Sequence, residues 1–104
     1  MIIDFHTHAF PDELAERAVS SLLATLHNAA SGFPEVMYSD GTAKGIINSM
    51  DKAGVDISVL LPVATKPAQP KGINSWARGF AEKEPRIIPF GAVFPDETAE
   101  AQLE

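Results

Sequence analysis

Cysteine is absent from the 104 residues. That excludes any disulfide and any thiolate ligand, so a metal would have only imidazole, carboxylate or a modified lysine to hold it. Basic side chains are few: 8 Lys and Arg face 14 Asp and Glu, for a formal charge of -6. The eight are scattered rather than clustered, so the chain offers no electrostatic footprint for nucleic acid or an anionic membrane. No apolar run approaches the roughly 18 residues of a membrane span. The start shows neither the basic segment nor the small-residue cleavage site of a secretory leader, and a cytoplasmic location is the expectation. Low-complexity tracts and internal repeats are also missing. What remains is 45% hydrophobic and 21% charged, the balance of an ordinary folded domain, which argues against disorder.

The chain opens on an apolar, β-rich run from Met1 to Phe5. Asp4, His6 and His8 then alternate with Phe5 and Thr7 at a period of two, which predicts a strand with one polar and one apolar face. Pro11 and Asp12 signal a helix start. Leu14, Ala15, Ala18, Val19, Leu22, Leu23 and Leu26 recur at three-and-four spacing, the stripe of an amphipathic helix. From Asn28 to Asp40 the pattern lapses into a Gly- and Pro-containing excursion carrying Phe33, Pro34, Met37 and Tyr38. A second helix is expected from about Thr42 to Ala53, capped by Asp40 or Thr42 and stopped by Gly54. Val55 to Val63 is nearly continuous in apolar residues, the pattern of a strand buried on both faces of a parallel sheet. After a Pro- and Lys-rich loop, Ile73, Trp76, Ala77, Phe80 and Ala81 share a helix face, and Pro85 ends that helix. Ile87 to Phe94 is the third expected strand, and Pro95 with Asp96 opens a fourth helix running to the last residue. Strands alternating with helices in this way predict an α/β fold, parallel strands with flanking helices.

Two histidines two residues apart on a strand project from the same face, about 6.5 to 7 Å apart along the chain, so both rings can converge on one cation. His6 and His8 also fall at the C-terminal end of the first strand, the end where parallel β/α architectures carry their active sites. Imidazole suits zinc, iron, nickel or copper, and a site without thiolates reads as open and catalytic rather than closed and structural. Asp4, on the same face one step deeper, is expected to accept a hydrogen bond from an imidazole N–H and so orient the ring, or to touch the metal itself. The plainer alternative is a pair of polar residues at a strand end. Against it stands the cost of burying three polar groups on one strand face without partners.

Other chemistry-bearing residues read more plainly. His27 follows the apolar stripe of the first helix at its edge and is expected at the surface rather than as a ligand. Trp76 and Phe80, at helical spacing with Ile73, are expected in the core rather than as a substrate platform. Glu82, Lys83 and Glu84 make a solvated helix end. Ser39, Asp40 and Gly41 fit helix capping better than a metal or phosphate loop.

The opening IIDFHTHAFP resembles the first strand of the amidohydrolase superfamily, whose D-x-H-x-H pattern supplies two metal ligands at the mouth of a distorted eight-stranded β/α barrel. SMDKAGVDISVLLPV and PRIIPFGAVFPD resemble the second and third βα units of the amidohydrolase 2 branch. That branch includes metal-dependent hydrolases and aminocarboxymuconate-semialdehyde-type decarboxylases. The resemblance spans essentially the whole chain. It implies a divalent metal, usually zinc, held by His6 and His8. The remaining ligands would be a histidine or modified lysine, another histidine and an aspartate from later strands, none of which can be assigned here. A complete barrel of about 250 residues in eight units makes 104 residues roughly three units, the N-terminal piece of a TIM-like barrel forming a single partial domain. The expectation is therefore that hydrolysis of a small-molecule substrate belongs to a longer parent and that this piece alone is inactive, with no catalytic residue of its own. Open strand edges further imply self-association, as a homo-oligomer, or membership of a larger molecule.

Three other readings stay open at this level. A non-oxidative decarboxylase of the same branch would share the metal site, and Phe33, Met37 and Tyr38 would either roof an apolar or aromatic substrate or, as readily, serve ordinary packing. PHP phosphatases and TatD-like nucleases also begin with an H-x-H strand. In PHP proteins, however, a Ser-Asp-Gly-like element follows the histidines closely, whereas Ser39 comes 31 positions after His8. A non-enzymatic metal-binding or interaction module is the remaining alternative.

Overall fold

The computed structural model describes residues 1–29, 39–96 and 99–103, with the side chains of all of these but 27–29. Its elements run β1 (Ile3–Thr7), α1 (Asp12–Ala29), α2 (Ala43–Ala53), β2 (Ile57–Leu60), α3 (Pro70–Lys83), β3 (Ile87–Pro89) and α4 (Ala99–Gln102). The three strands form one open sheet in the order β1-β2-β3, and both pairings are parallel. The fold is therefore α/β, with parallel strands and flanking helices.

Each boundary has a local cause. Thr42 sits in extended backbone at the N-terminus of α2 and its side chain accepts the Gly45 N–H, satisfying one of the helix's otherwise unpaired donors. Gly54 ends α2 in the left-handed region, at φ 70°, where a residue with a Cβ is strained. Pro70 opens α3, where its missing N–H costs nothing. Arg86 joins two elements, donating to the Asp51 carboxylate at 2.7 Å and to the Val55 carbonyl at 3.0 Å.

The strands are shorter than the apolar runs that encode them. Val55 to Val63 contributes only Ile57–Leu60 to the ladder, because Val55 N–H is turned back to the Met50 carbonyl and Pro62 has no N–H to give. Ile87 to Phe94 contributes only Ile87–Pro89. Beyond Phe90, whose N–H still reaches the Leu60 carbonyl, the Asn74 side chain of α3 takes both the N–H and the carbonyl of Ala92, so a side-chain amide replaces the ladder. Among the described residues the last helix covers Ala99–Gln102. Gln102 folds back to hold the Phe94 N–H and carbonyl, and that clasp occupies the stretch where the helix was expected to start.

The core lies between the sheet and two helices. Leu60 of β2, Ile87 of β3, Ile46 and Met50 of α2 and Ala77 of α3 are buried together with Ala9. Trp76 and Phe80, stacked at 5.9 Å, pack against that cluster. They serve the core, as their spacing suggested. The stripe of α1 is less completely used: Ala15 is buried, whereas Leu14, Leu22 and Leu26 are exposed. Gly41 passes so close to α1 that a Cβ there would meet Val19 Cγ2 at 2.8 Å. Its carbonyl accepts the Phe10 N–H at 2.7 Å, tying the start of α2 to the segment after β1. Among the described residues no helix is long and apolar enough to cross a membrane.

Candidate functional site

The site begins with an irregularity in β1. Asp4 pairs with Ser58 and Thr7 with Leu60, so three steps along β1 match two along β2. One extra residue is accommodated as a bulge, a device that re-aims side chains at a strand end. Because Ser58 and Leu60 are two apart on a regular strand, they face the same side, and so do their partners Asp4 and Thr7. The strict alternation that puts Asp4, His6 and His8 on one face is thus corrected. The bulge moves Thr7 into register with Leu60, and the Thr7 hydroxyl is anchored on the Val59 carbonyl at 2.8 Å.

The bulge leaves the two histidines together. His6 Nε2 lies 3.0 Å from His8 Nε2, and the rings meet edge to face with centroids 4.8 Å apart and planes at 82°. Both residues are exposed. His8 Nδ1 lies 2.8 Å from the Leu61 carbonyl oxygen. A carbonyl can only accept, so Nδ1 carries the proton, and in a neutral ring Nε2 is then left with its lone pair. His6 Nε2 is consequently the donor in the contact between the rings.

This arrangement assigns a new role to Leu61 and a different one to Asp4. The oxygen that orients an imidazole is the Leu61 main-chain carbonyl, while Asp4 Oδ1 accepts the backbone N–H of His6 at 3.0 Å. Asp4 therefore holds the chain beneath the histidine rather than its ring. No side-chain type at position 61 signals such a role. The only clue is that the end of β2 lies beside the end of β1, where Leu61 N–H donates to the Thr7 carbonyl at 2.8 Å.

The remaining expected features fall away from this pair. Asp40 Oδ1 accepts both the N–H and the hydroxyl of Thr42, and these bonds, the backbone one foremost, lower its carboxyl pKa below the ordinary 3.8. Ser39-Asp40-Gly41 is thus a brace for the α2 cap. The side chain of His27 and all of Phe33, Pro34, Met37 and Tyr38 lie outside the described residues. Among the described residues no group of three or more His, Asp or Glu is placed to hold a metal ion, so two imidazoles are the available donor set.

Fold and site together define a class: an open parallel α/β sheet with a convergent imidazole pair at the C-terminal end of its first strand. Set beside known proteins, the chain matches no family model, no curated protein and no solved structure.

Proposed function

We propose that the chain is the N-terminal part of a metal-dependent hydrolase of the amidohydrolase type, built on a β/α barrel. In this reading His6 and His8 are two of the ligands of a divalent cation, zinc by the resemblance of IIDFHTHAFP. The observation that carries it is the convergence of His6 Nε2 and His8 Nε2 at 3.0 Å, with His8 Nδ1 committed to the Leu61 carbonyl. Tetrahedral zinc with Zn–N bonds of about 2.0 to 2.1 Å sets two ligand nitrogens about 3.3 Å apart, so the pair fits with a few tenths of an ångström of movement. A carbonyl behind the non-ligating nitrogen is also the usual support of a metal-bound histidine.

A divalent cation held there would supply Lewis acidity toward a polar bond of a small-molecule substrate. The chain's own residues do the positioning. Leu61 holds the His8 ring in the tautomer whose Nε2 lone pair points outward, and Asp4 holds the backbone of His6. A cation would take the place of the proton that His6 Nε2 directs at His8 Nε2, and exposure of both rings leaves ligand and solvent access to the pair. Two imidazoles bind a cation weakly and include no proton-transfer group. Further ligands and catalysis belong, in this reading, to later strands of the barrel.

The test is a zinc titration followed at the imidazole nitrogens by NMR, with affinity taken from competition against a chromophoric chelator. Zinc is expected to shift the Nε2 resonances of His6 and His8 together, and His6→Ala or His8→Ala should each weaken binding about tenfold or more, in line with loss of one of two ligands. Unchanged affinity in the double variant would overturn the reading.

A further inference from the structure

Arg17 and Lys66 are far apart in a chain whose 14 Asp and Glu outnumber its 8 Lys and Arg. The fold sets both on the wall of one hollow of about 260 Å³, between α1 and the segment that leads from β2 into α3. Among the described residues no Asp or Glu lines that hollow, and the ion pairs engage Arg78 and Arg86 instead. Two cations therefore line it without a carboxylate of the chain to meet them.

The α1 wall consists of two adjacent rows at the four-residue helical repeat. Leu14, Ala18 and Leu22 make an apolar row, and Arg17, Ser21 and Thr25 make a polar one beside it. Leu14 and Leu22 are 36% and 38% exposed, so this is a part of the α1 stripe that the core leaves uncovered. Phe10 and Ile73, both buried, extend the apolar lining inward. The opposite wall is braced: Gln69 Oε1 accepts the N–H and the hydroxyl of Thr65 at 2.7 and 3.1 Å, and the Lys66 carbonyl accepts the Gln69 N–H at 3.1 Å. The backbone that carries Lys66 is thus held in place before any ligand arrives, which lowers the ordering cost of binding.

An apolar lining bordered by two cations and hydroxyl donors matches a molecule with an apolar body and one anionic head. We propose that the hollow binds a free carboxylate of short alkyl chain, its body along Leu14 and Leu22 and its head at Arg17 and Lys66. At about 30 Å³ for each water-sized group, the volume takes about nine such groups, close to the size of octanoate. The site needs no metal and stands apart from the hydrolase reading.

The test is a titration of the metal-free chain with octanoate, octanol and octylammonium, followed by NMR at the methyl groups of Leu14, Leu22 and Val63. Octanoate is expected to bind saturably there, about tenfold tighter than either of the others, as two exposed ion pairs together allow. Arg17→Gln and Lys66→Gln should each weaken octanoate about two- to fivefold and leave octanol unchanged, whereas Leu22→Ala should weaken both. All three substitutions fall at exposed positions, where folding tolerates change. Octanol or octylammonium binding as tightly as octanoate overturns the proposal, as does octanoate binding that is not saturable or does not move these methyls. Octanoate affinity unchanged in the Arg17→Gln/Lys66→Gln double variant overturns it too. The comparison of the three ligands on the unaltered chain decides the matter even where a variant fails to fold.

Discussion

The two sides of the three-stranded sheet are finished to different degrees. On the side facing α2 and α3, Ser58, Leu60 and Ile87 are 1%, 0% and 4% exposed. On the opposite side Val59 of the central strand is 2% exposed, whereas Ile3 and Ile88, the register partners of Ile57 and Val59, are 40% and 43% exposed. Apolar residues occupy both sides, yet on the second side burial is complete at Val59 and not at Ile3 or Ile88. Because hydrophobic stabilisation scales with area removed from water, the helix-covered side carries most of the folding free energy in this chain. The same contrast separates the two polar features of the site. The histidine pair is open to solvent, whereas Ser58 is sealed behind it.

The largest break in this contrast is expected from Leu60→Ala. Deleting a fully buried leucine should cost about 2–5 kcal/mol, read as a loss of urea midpoint. A smaller loss, about 1 kcal/mol, is expected from Thr42→Ala, which removes the cap that starts α2, the helix closing the covered side. Asp40 supports that cap and adds a pH signature. Its lowered carboxyl pKa means that its contribution is present above the ordinary value of 3.8 and is lost as pH falls through the native value. The stability gap between the parent and Asp40→Asn should accordingly narrow as urea melts are taken below that pH. The smallest effect is expected on the open side. Ile88→Thr should stay within about 0.5 kcal/mol of the parent, and a cost comparable to that of Leu60→Ala would show the two sides to be equivalent after all.

Most of the architecture was legible in residue order because its signals are local. Pro11, Thr42, Gly54 and Pro85 punctuate the chain by their own backbone preferences, and helix and strand periods identify what lies between them. The length of β3 was not legible, since Asn74 and Gln102 hold Ala92 and Phe94 from other elements, by contacts that no apolar run records. The candidate site divides the same way. His6 and His8 were visible from type and spacing, whereas the Leu61 carbonyl was not, because every residue carries one and only strand adjacency selects it.

By itself the sequence determined the α/β order of elements, the acidic and cysteine-free donor set, and a histidine pair at the end of the first strand. Each of these follows from covalent connectivity and short-range backbone preference. The tertiary structure alone decided the bulge that parts Asp4 from the expected alternation, the protonated nitrogen of His8, and the burial of Ser58. These depend on the register between strands that lie more than fifty residues apart. Register is set by which side chains the helices can bury, so only the assembled sheet contains it.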